Sequence, residues 1–140
     1  MTLQEVVQTL TNIANSQPAV NSTTEGSIYE NLNANPSQKY FNINISSTNH
    51  RCDMEFDYWG FNIFCSDRLK DDESNRLQIQ SEAVEILKNI IRTFLDIVDC
   101  ELYDEAVFTP YTQRFTDMCA GCYVQVRFRI PVDYVCEELF

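Results

Sequence analysis

Cys119-Ala120-Gly121-Cys122 is the spacing in this chain with the clearest chemical potential. Two thiols so placed can form a redox couple or supply half of a structural zinc site. A redox couple places its first thiol at a helix N-terminus, where the dipole favours thiolate. Here the residues after Cys122 read as a strand, and no βαβ pattern surrounds them. Zinc needs two further ligands, and His50 and Cys52 could supply them only if the first hairpin turn approached Gly121. The residues by themselves favour two reduced thiols in a turn before a strand. His50 is the one histidine and falls in an expected turn, which gives no support to a Cys–His or Ser–His–Asp device. No GxSxG, HExxH, phosphate-loop or dinucleotide fingerprint occurs. Asp71, Asp72 and Glu73 could draw a cation, but a helix start accounts for them more simply. Arg127 and Arg129 share one face of a strand, either as a solvated face or as a stripe that pairs with a neighbour's acidic surface. The chain reads as a non-enzyme, with no catalytic, cofactor-binding or metal-ligating residue assigned.

The element that must position most of these residues is a helix expected over Asp71–Val98. Leu77, Val84, Ile91 and Val98 repeat every seven residues, Leu87 and Phe94 fill the stripe, and Ile79, Ala83, Ile86, Ile90, Leu95 and Ile97 widen it. So broad an apolar face suits a helix lying on a sheet. Residues 3–14 place Leu3, Val6, Val7, Leu10, Ile13 and Ala14 at helical spacing, giving a short first helix. Residues 15–38 are rich in Asn, Ser, Thr and Gln, and read as a long loop or arm with Ile28, Tyr29 and Leu32 as anchors.

Tyr40–Ser46 alternates as a half-buried strand, with Phe41, Ile43 and Ile45 inward and Asn42, Asn44 and Ser46 outward. Ser47–His50 should turn. A second strand follows, and its apolar parity changes from Met54, Phe56 and Tyr58 to Phe61, Ile63 and Cys65, which predicts a bulge or bend at Trp59–Gly60. After the helix, residues 106–108 form a weak strand, Thr109–Tyr111 a turn, and Tyr123–Ile130 a strongly alternating strand stopped by Pro131. The expected fold is α+β in the order α-β-β-α-β-β, an antiparallel sheet with the long central helix on one face, in a single domain over residues 1–140.

The formal net charge is −11 and the pI near 4.3. Such a balance disfavours a grip on nucleic-acid phosphates and docking on an anionic membrane. No apolar run approaches the ~20 residues that span a bilayer, and the first residues lack the basic and apolar regions of a signal peptide. With no such leader, the six cysteines read as reduced thiols, and the sequons at Asn21 and Asn44 as chance.

Asp67-Arg68-Leu69 followed by DDESNRLQIQSEAVEILKNIIRTF (71–94) resembles the neck and tail-joining proteins of tailed bacteriophages, more narrowly those of crAss-like and related phages of Bacteroides-type bacteria. The segment TPYTQRFTDMCAGCYVQVRFRIP (109–131) is similar to the closing strands of the same group. The resemblance implies a virion structural protein. Copies would form a six-fold or twelve-fold ring in the neck, between portal or capsid and tail, assembled in the host cytoplasm. Genome DNA would pass through the lumen without specific binding, and an acidic wall would let it slide. The arm would order on assembly. The implied partners are further copies of the chain and adjacent neck, portal or tail proteins, with no membrane and no cofactor. The competing expectation is a small cytosolic binding or assembly-factor module, in one form stabilised by zinc through Cys119 and Cys122.

Overall fold

The computed structural model describes residues 1–28, 41–70, 72–114 and 118–132. Helix α1 (Leu3–Ser16) opens on a capping box: the Thr2 side chain accepts from the Glu5 amide, and the Glu5 carboxylate accepts from the Thr2 amide. This satisfies two donors that the first turn would otherwise leave open. Val6, Leu10, Ile13 and Ala14 form its buried stripe. Strand β1 (Ser22–Glu25) then runs parallel to β2 (Asn42–Cys52), which turns back into β3 (Phe56–Arg68). Helix α2 (Arg76–Ile97) crosses the sheet. After it come β4 (Glu101–Leu102), β5 (Val107–Arg114) and β6 (Met118–Pro131).

The strands form one sheet in the order β1-β2-β3-β6-β4, with β5 pairing β6 beyond β4 on the same side. Among the described residues, only the β1–β2 pairing is parallel. Helices α1 and α2 lie on one face and seal a core that includes Ile43, Ile45, Phe61, Ile63, Leu87, Phe94, Val124 and Phe128. We call the other face the open face. Among the described residues, no helix is long and apolar enough to cross a membrane.

The α+β class is as expected, but among the described residues the order is α-β-β-β-α-β-β-β, and α2 shares its face of the sheet with α1. Residues 22–25 are a strand because buried amides hold them. Asn42 donates to Ser22 Oγ at 3.0 Å, Asn44 donates to the Gly26 carbonyl at 2.9 Å, and Thr24 donates to Asn44 Oδ1 at 2.7 Å. Asn42 and Asn44, expected in solvent, are fully buried. Ile28 is buried as an anchor should be. Tyr29, Leu32 and the rest of the expected arm to residue 38 lie outside the described residues.

Helix α2 begins at Arg76 rather than at position 71, which itself lies outside the described residues. The polar side chains before it serve a turn instead of a cap. Asp72 accepts from the Ser74 amide, Asn75 accepts from the Lys70 amide, and Glu73 adopts a left-handed φ of 56°. Local side-chain bonding of this kind competes with helix. The buried stripe is Ile79, Ala83, Ile86, Leu87, Ile90, Ile91 and Phe94, so the sevenfold repeat through Leu77 is not its centre.

The expected bulge lies in the partner strand. β3 pairs with β6 without a shift from Phe56 to Arg68, whereas β2 carries one extra residue between Ser47 and Asn49, opposite Gly60. The change of apolar parity in β3 reflects aromatic residues on both faces. The expected turn at Ser47–His50 is continuous strand, and the hairpin turns at Asp53–Glu55. Thr109–Tyr111 is likewise strand. Pro110 is tolerated because β5 is an edge strand, where a missing N–H breaks no ladder. β6 starts at Met118, so Cys119–Cys122 lies inside a strand rather than in a turn.

Candidate functional site

The open face gathers Arg127 and Arg129 from β6 with residues that the sequence reading passed over. Arg127 and Arg129 point outward because they alternate with the core residues Val126, Phe128 and Ile130. Arg127 Nη2 lies 2.7 Å from Asp104 Oδ2, with its guanidinium 4.9 Å from the centre of the Tyr103 ring. Arg129 hydrogen-bonds Glu101 and stacks 4.5 Å above Phe56. Tyr103 and Tyr58 meet edge to face at 5.0 Å, and Arg51 lies 5.9 Å from the Tyr58 ring. The Tyr58 hydroxyl donates to Asp53 Oδ2 at 2.8 Å. Asp53 also accepts the Glu55 and Phe56 amides. These bonds, the Glu55 amide first and then the Tyr58 hydroxyl, hold its carboxyl below the ordinary range. The same bond raises the Tyr58 phenol.

The arginine stripe is therefore paired within the chain. The short β4 strand supplies this pairing by adding Glu101 opposite Arg129. Glu101, Tyr103 and Asp104 sit in the acidic run Asp99–Glu105 between α2 and β5. The alternation of Glu101 and Tyr103 with Leu102 was the available signal.

Beside Arg127 the open face dips into a groove of about 320 Å³, lined by Thr48, Asn49, Asn62, Glu105, Gln125 and Arg127 among others. Three carboxamides in one groove offer donors and acceptors without net charge. Next to it, the β2 bulge lays the Thr48 and Asn49 side chains over Gly60, which has no side chain to push them away.

The two motif cysteines do not converge. Residues three apart in a strand face opposite ways. Cys119 packs with Ile28 against Phe64 and Tyr111 on the open face, while Cys122 pairs across from Cys65 in the main core. Burial pushes the Cys65 thiol well up, and pushes Cys122 up to about 11, so neither favours thiolate. Cys52 aligns through β3 with the Ile130 end of β6, roughly 35 Å along the strand from Cys119. The fold thus does not bring His50, Cys52, Cys119 and Cys122 together as one ligand set. Among the described residues, no three His, Cys, Asp or Glu side chains are grouped to hold a metal.

His50 lies 2.9 Å from Asp57 Oδ1 and stacks at 3.8 Å on Trp59, so it shields the indole at the edge of the core. Asp72 and Glu73 lie in the turn before α2, and Asp72 is held by the Ser74 amide and hydroxyl below its ordinary value. Beyond the bulge end, Tyr111 on β5 hydrogen-bonds Ser66 on β3 across β6, above Gly121. Burial pushes the Tyr111 phenol far up. Phe64 and Tyr123 close around Tyr111, with ring centres 6.0 and 6.2 Å away. This end of the open face is packed as a second small core.

Compared with known proteins, the chain matches no protein-family model and no curated protein.

Proposed function

We propose that this chain is a structural protein of a tailed-phage virion, assembled in the bacterial cytoplasm as a ring in the neck. It would join portal or capsid to tail and let DNA pass through the lumen. The reading rests first on the resemblance over residues 67–94 and 109–131. The structural observation that carries it furthest is the neutralisation of Arg127 and Arg129 by Asp104 and Glu101. A chain of net charge −11 that also ties up the basic stripe of its open face offers little grip to phosphate, as suits a wall past which DNA must slide. In this role the chain does no catalysis, and its work is geometric.

The carboxamide groove beside Gly60 favours a second reading, a small binding or assembly-factor module that leaves before the particle is complete. Quantitative mass spectrometry of purified particles separates the two. Presence at six or twelve copies per particle supports the neck ring. Loss of the protein during purification, with the protein found only in the soluble lysate, overturns it.

A further inference from the structure

Two cross-strand rows of the open face meet in the groove beside Gly60. In one, Asn62 of β3 lies opposite Gln125 of β6, and Val107 of β5 continues the row. In the next, Gly60 lies between Asn49 of β2 and Arg127 of β6. Neighbours within a row stand about 5 Å apart, and the rows lie about 7 Å apart along the strands. The groove holds about 320 Å³, and Thr48 and Glu105 also line it.

The polar groups gathered here have nothing to bond. Elsewhere, Asn42, Asn44 and Gln80 are each tied within the chain. The side chains of Thr48, Asn49, Asn62, Glu105 and Gln125 make no hydrogen bond or ion pair with another described residue. Asn62 is half-buried, so its carboxamide is partly withdrawn from water without a protein partner in exchange. Arg127 is held by Asp104 at 2.7 Å, and its guanidinium keeps further N–H donors.

Charge narrows what can bind. Asp104 offsets Arg127, which leaves Glu105 as a net negative charge and disfavours phosphates and carboxylates. Three carboxamides and a hydroxyl both donate and accept, which matches vicinal hydroxyl groups that do the same. Val107 is 48% exposed and supplies apolar surface for the C–H face of a ring. An extended peptide is a poorer match, since its amides pair best along a strand edge and these groups are set across strands.

We propose that the groove binds a neutral saccharide, one ring in size, through Asn49, Asn62, Gln125 and Arg127. Its volume lies at the small end of the usual range for ligand sites, about 300–1,000 Å³. The proposal rests on the binding-module reading, to which it gives a ligand class, and is independent of the neck ring.

Two-dimensional NMR of the isotope-labelled full chain tests it. The probes are the methyl glycosides of glucose, galactose and mannose, and N-acetylglucosamine, with glucuronate and tri-alanine for comparison. At least one neutral sugar should shift the side-chain amide signals of Asn49, Asn62 and Gln125 saturably, and glucuronate should bind several-fold more weakly than the glucoside. Asn62→Ala and Gln125→Ala should each weaken binding about fivefold or more, with matched thermal melts confirming that they fold. Gly60→Ala should weaken it too, since a Cβ there displaces Thr48 and Asn49. The absence of a saturable shift from every neutral sugar up to roughly 100 mM, where a Kd of ~10 mM would be evident, overturns the proposal. Shifts confined to other parts of the chain, or binding that all three substitutions leave unchanged, also overturn it. Tighter binding of tri-alanine at the same amides would overturn the saccharide and leave the binding-module reading standing. Copy number per particle decides between that reading and the ring whichever result is found.

Discussion

Gly121 lies so close to Cys65 on the neighbouring strand that a Cβ at position 121 would overlap the Cys65 carbonyl oxygen and come within 3.0 Å of the Ser66 Cα. Only backbone stands in the way, so relief requires β3 and β6 to separate. At Gly60 a Cβ would instead meet Asn49 Oδ1 at 2.5 Å and Thr48 Oγ1 at 2.6 Å, both side-chain tips on the exposed half of β2. These can rotate away, and alanine suits a strand better than glycine by about 0.5–1 kcal/mol. Gly121→Ala should therefore lose about 3 kcal/mol or more, while Gly60→Ala should stay within about 1 kcal/mol of wild type. Urea midpoints at constant slope measure both.

The attachment of β1 depends on Asn44. Replacing it with Ala leaves Thr24 Oγ1 and the Gly26 carbonyl without that partner in a buried setting. A loss of about 1–3 kcal/mol is expected. It should be concentrated at the sheet edge, where the Gly26 amide bonds the Ile45 carbonyl at 2.9 Å. Faster hydrogen exchange at residues 22–26, with little change in β6, would show this; uniform acceleration would contradict it.

Thiol reactivity should follow burial. Cys52 is exposed, Cys65, Cys119 and Cys122 are buried, and burial raises half-buried Cys100 to about 11. Brief alkylation of the folded protein near pH 8, read by peptide mapping, should label Cys52 well before Cys65, Cys100, Cys119 and Cys122. Early labelling of Cys119 or Cys122 would refute the strand placement of the motif.

Asp53 gives a pH-dependent test. Its folded value is depressed, so its contribution is fully present above the ordinary carboxylate value near ~3.9. That contribution is lost as pH falls through the lower folded value. The difference in melting temperature between wild type and Asp53→Asn should be constant at neutral pH and shrink below about pH 4. A difference that persists unchanged into stronger acid would mean that the bonds from the Glu55 amide and the Tyr58 hydroxyl do not hold the turn.

Charge pairing on the open face predicts a gain of function. Glu101→Gln with Asp104→Asn would release Arg129 and Arg127 while leaving Phe56 and Tyr103 beneath them. Fluorescence anisotropy with duplex DNA at low salt should show binding that weakens with added salt, where the wild type shows little. Stability should shift by no more than about 1 kcal/mol, since exposed ion pairs contribute little.

What was legible in the sequence was what depends on near neighbours. Val6, Leu10 and Ile13 mark α1, and the alternation from Val124 to Ile130 marks β6. The first residues of β6 were hidden because Cys119, Ala120 and Gly121 are small and break the apolar alternation. β1 was hidden because Ser22–Glu25 has no apolar face of its own and is held by Asn42 and Asn44, some 20 residues on. A polar residue is ordinarily assigned to solvent, and only the partners reveal a buried amide. The same holds for Arg127 and Arg129, whose counter-charges lie 23 and 28 residues earlier, across a pairing that no local pattern encodes.

The place of β6 bears on how the chain reaches this structure. It is flanked by β3 along one side and by β4 and β5 along the other, yet it follows all of them in sequence. Until it forms, β3 presents a raw hydrogen-bonding edge, and Phe94 lacks the ring of Phe128 that it meets at 4.3 Å. The earlier elements make up a nearly complete layer with its central slot empty. A chain short of β6 is open to mispairing, since unpaired edges and uncovered apolar surface favour pairing with the wrong chain. Closure from the middle means that the sheet is complete only once β6 is in place. Many copies made side by side in one cell would be most exposed to mispairing in the moments before that strand arrives.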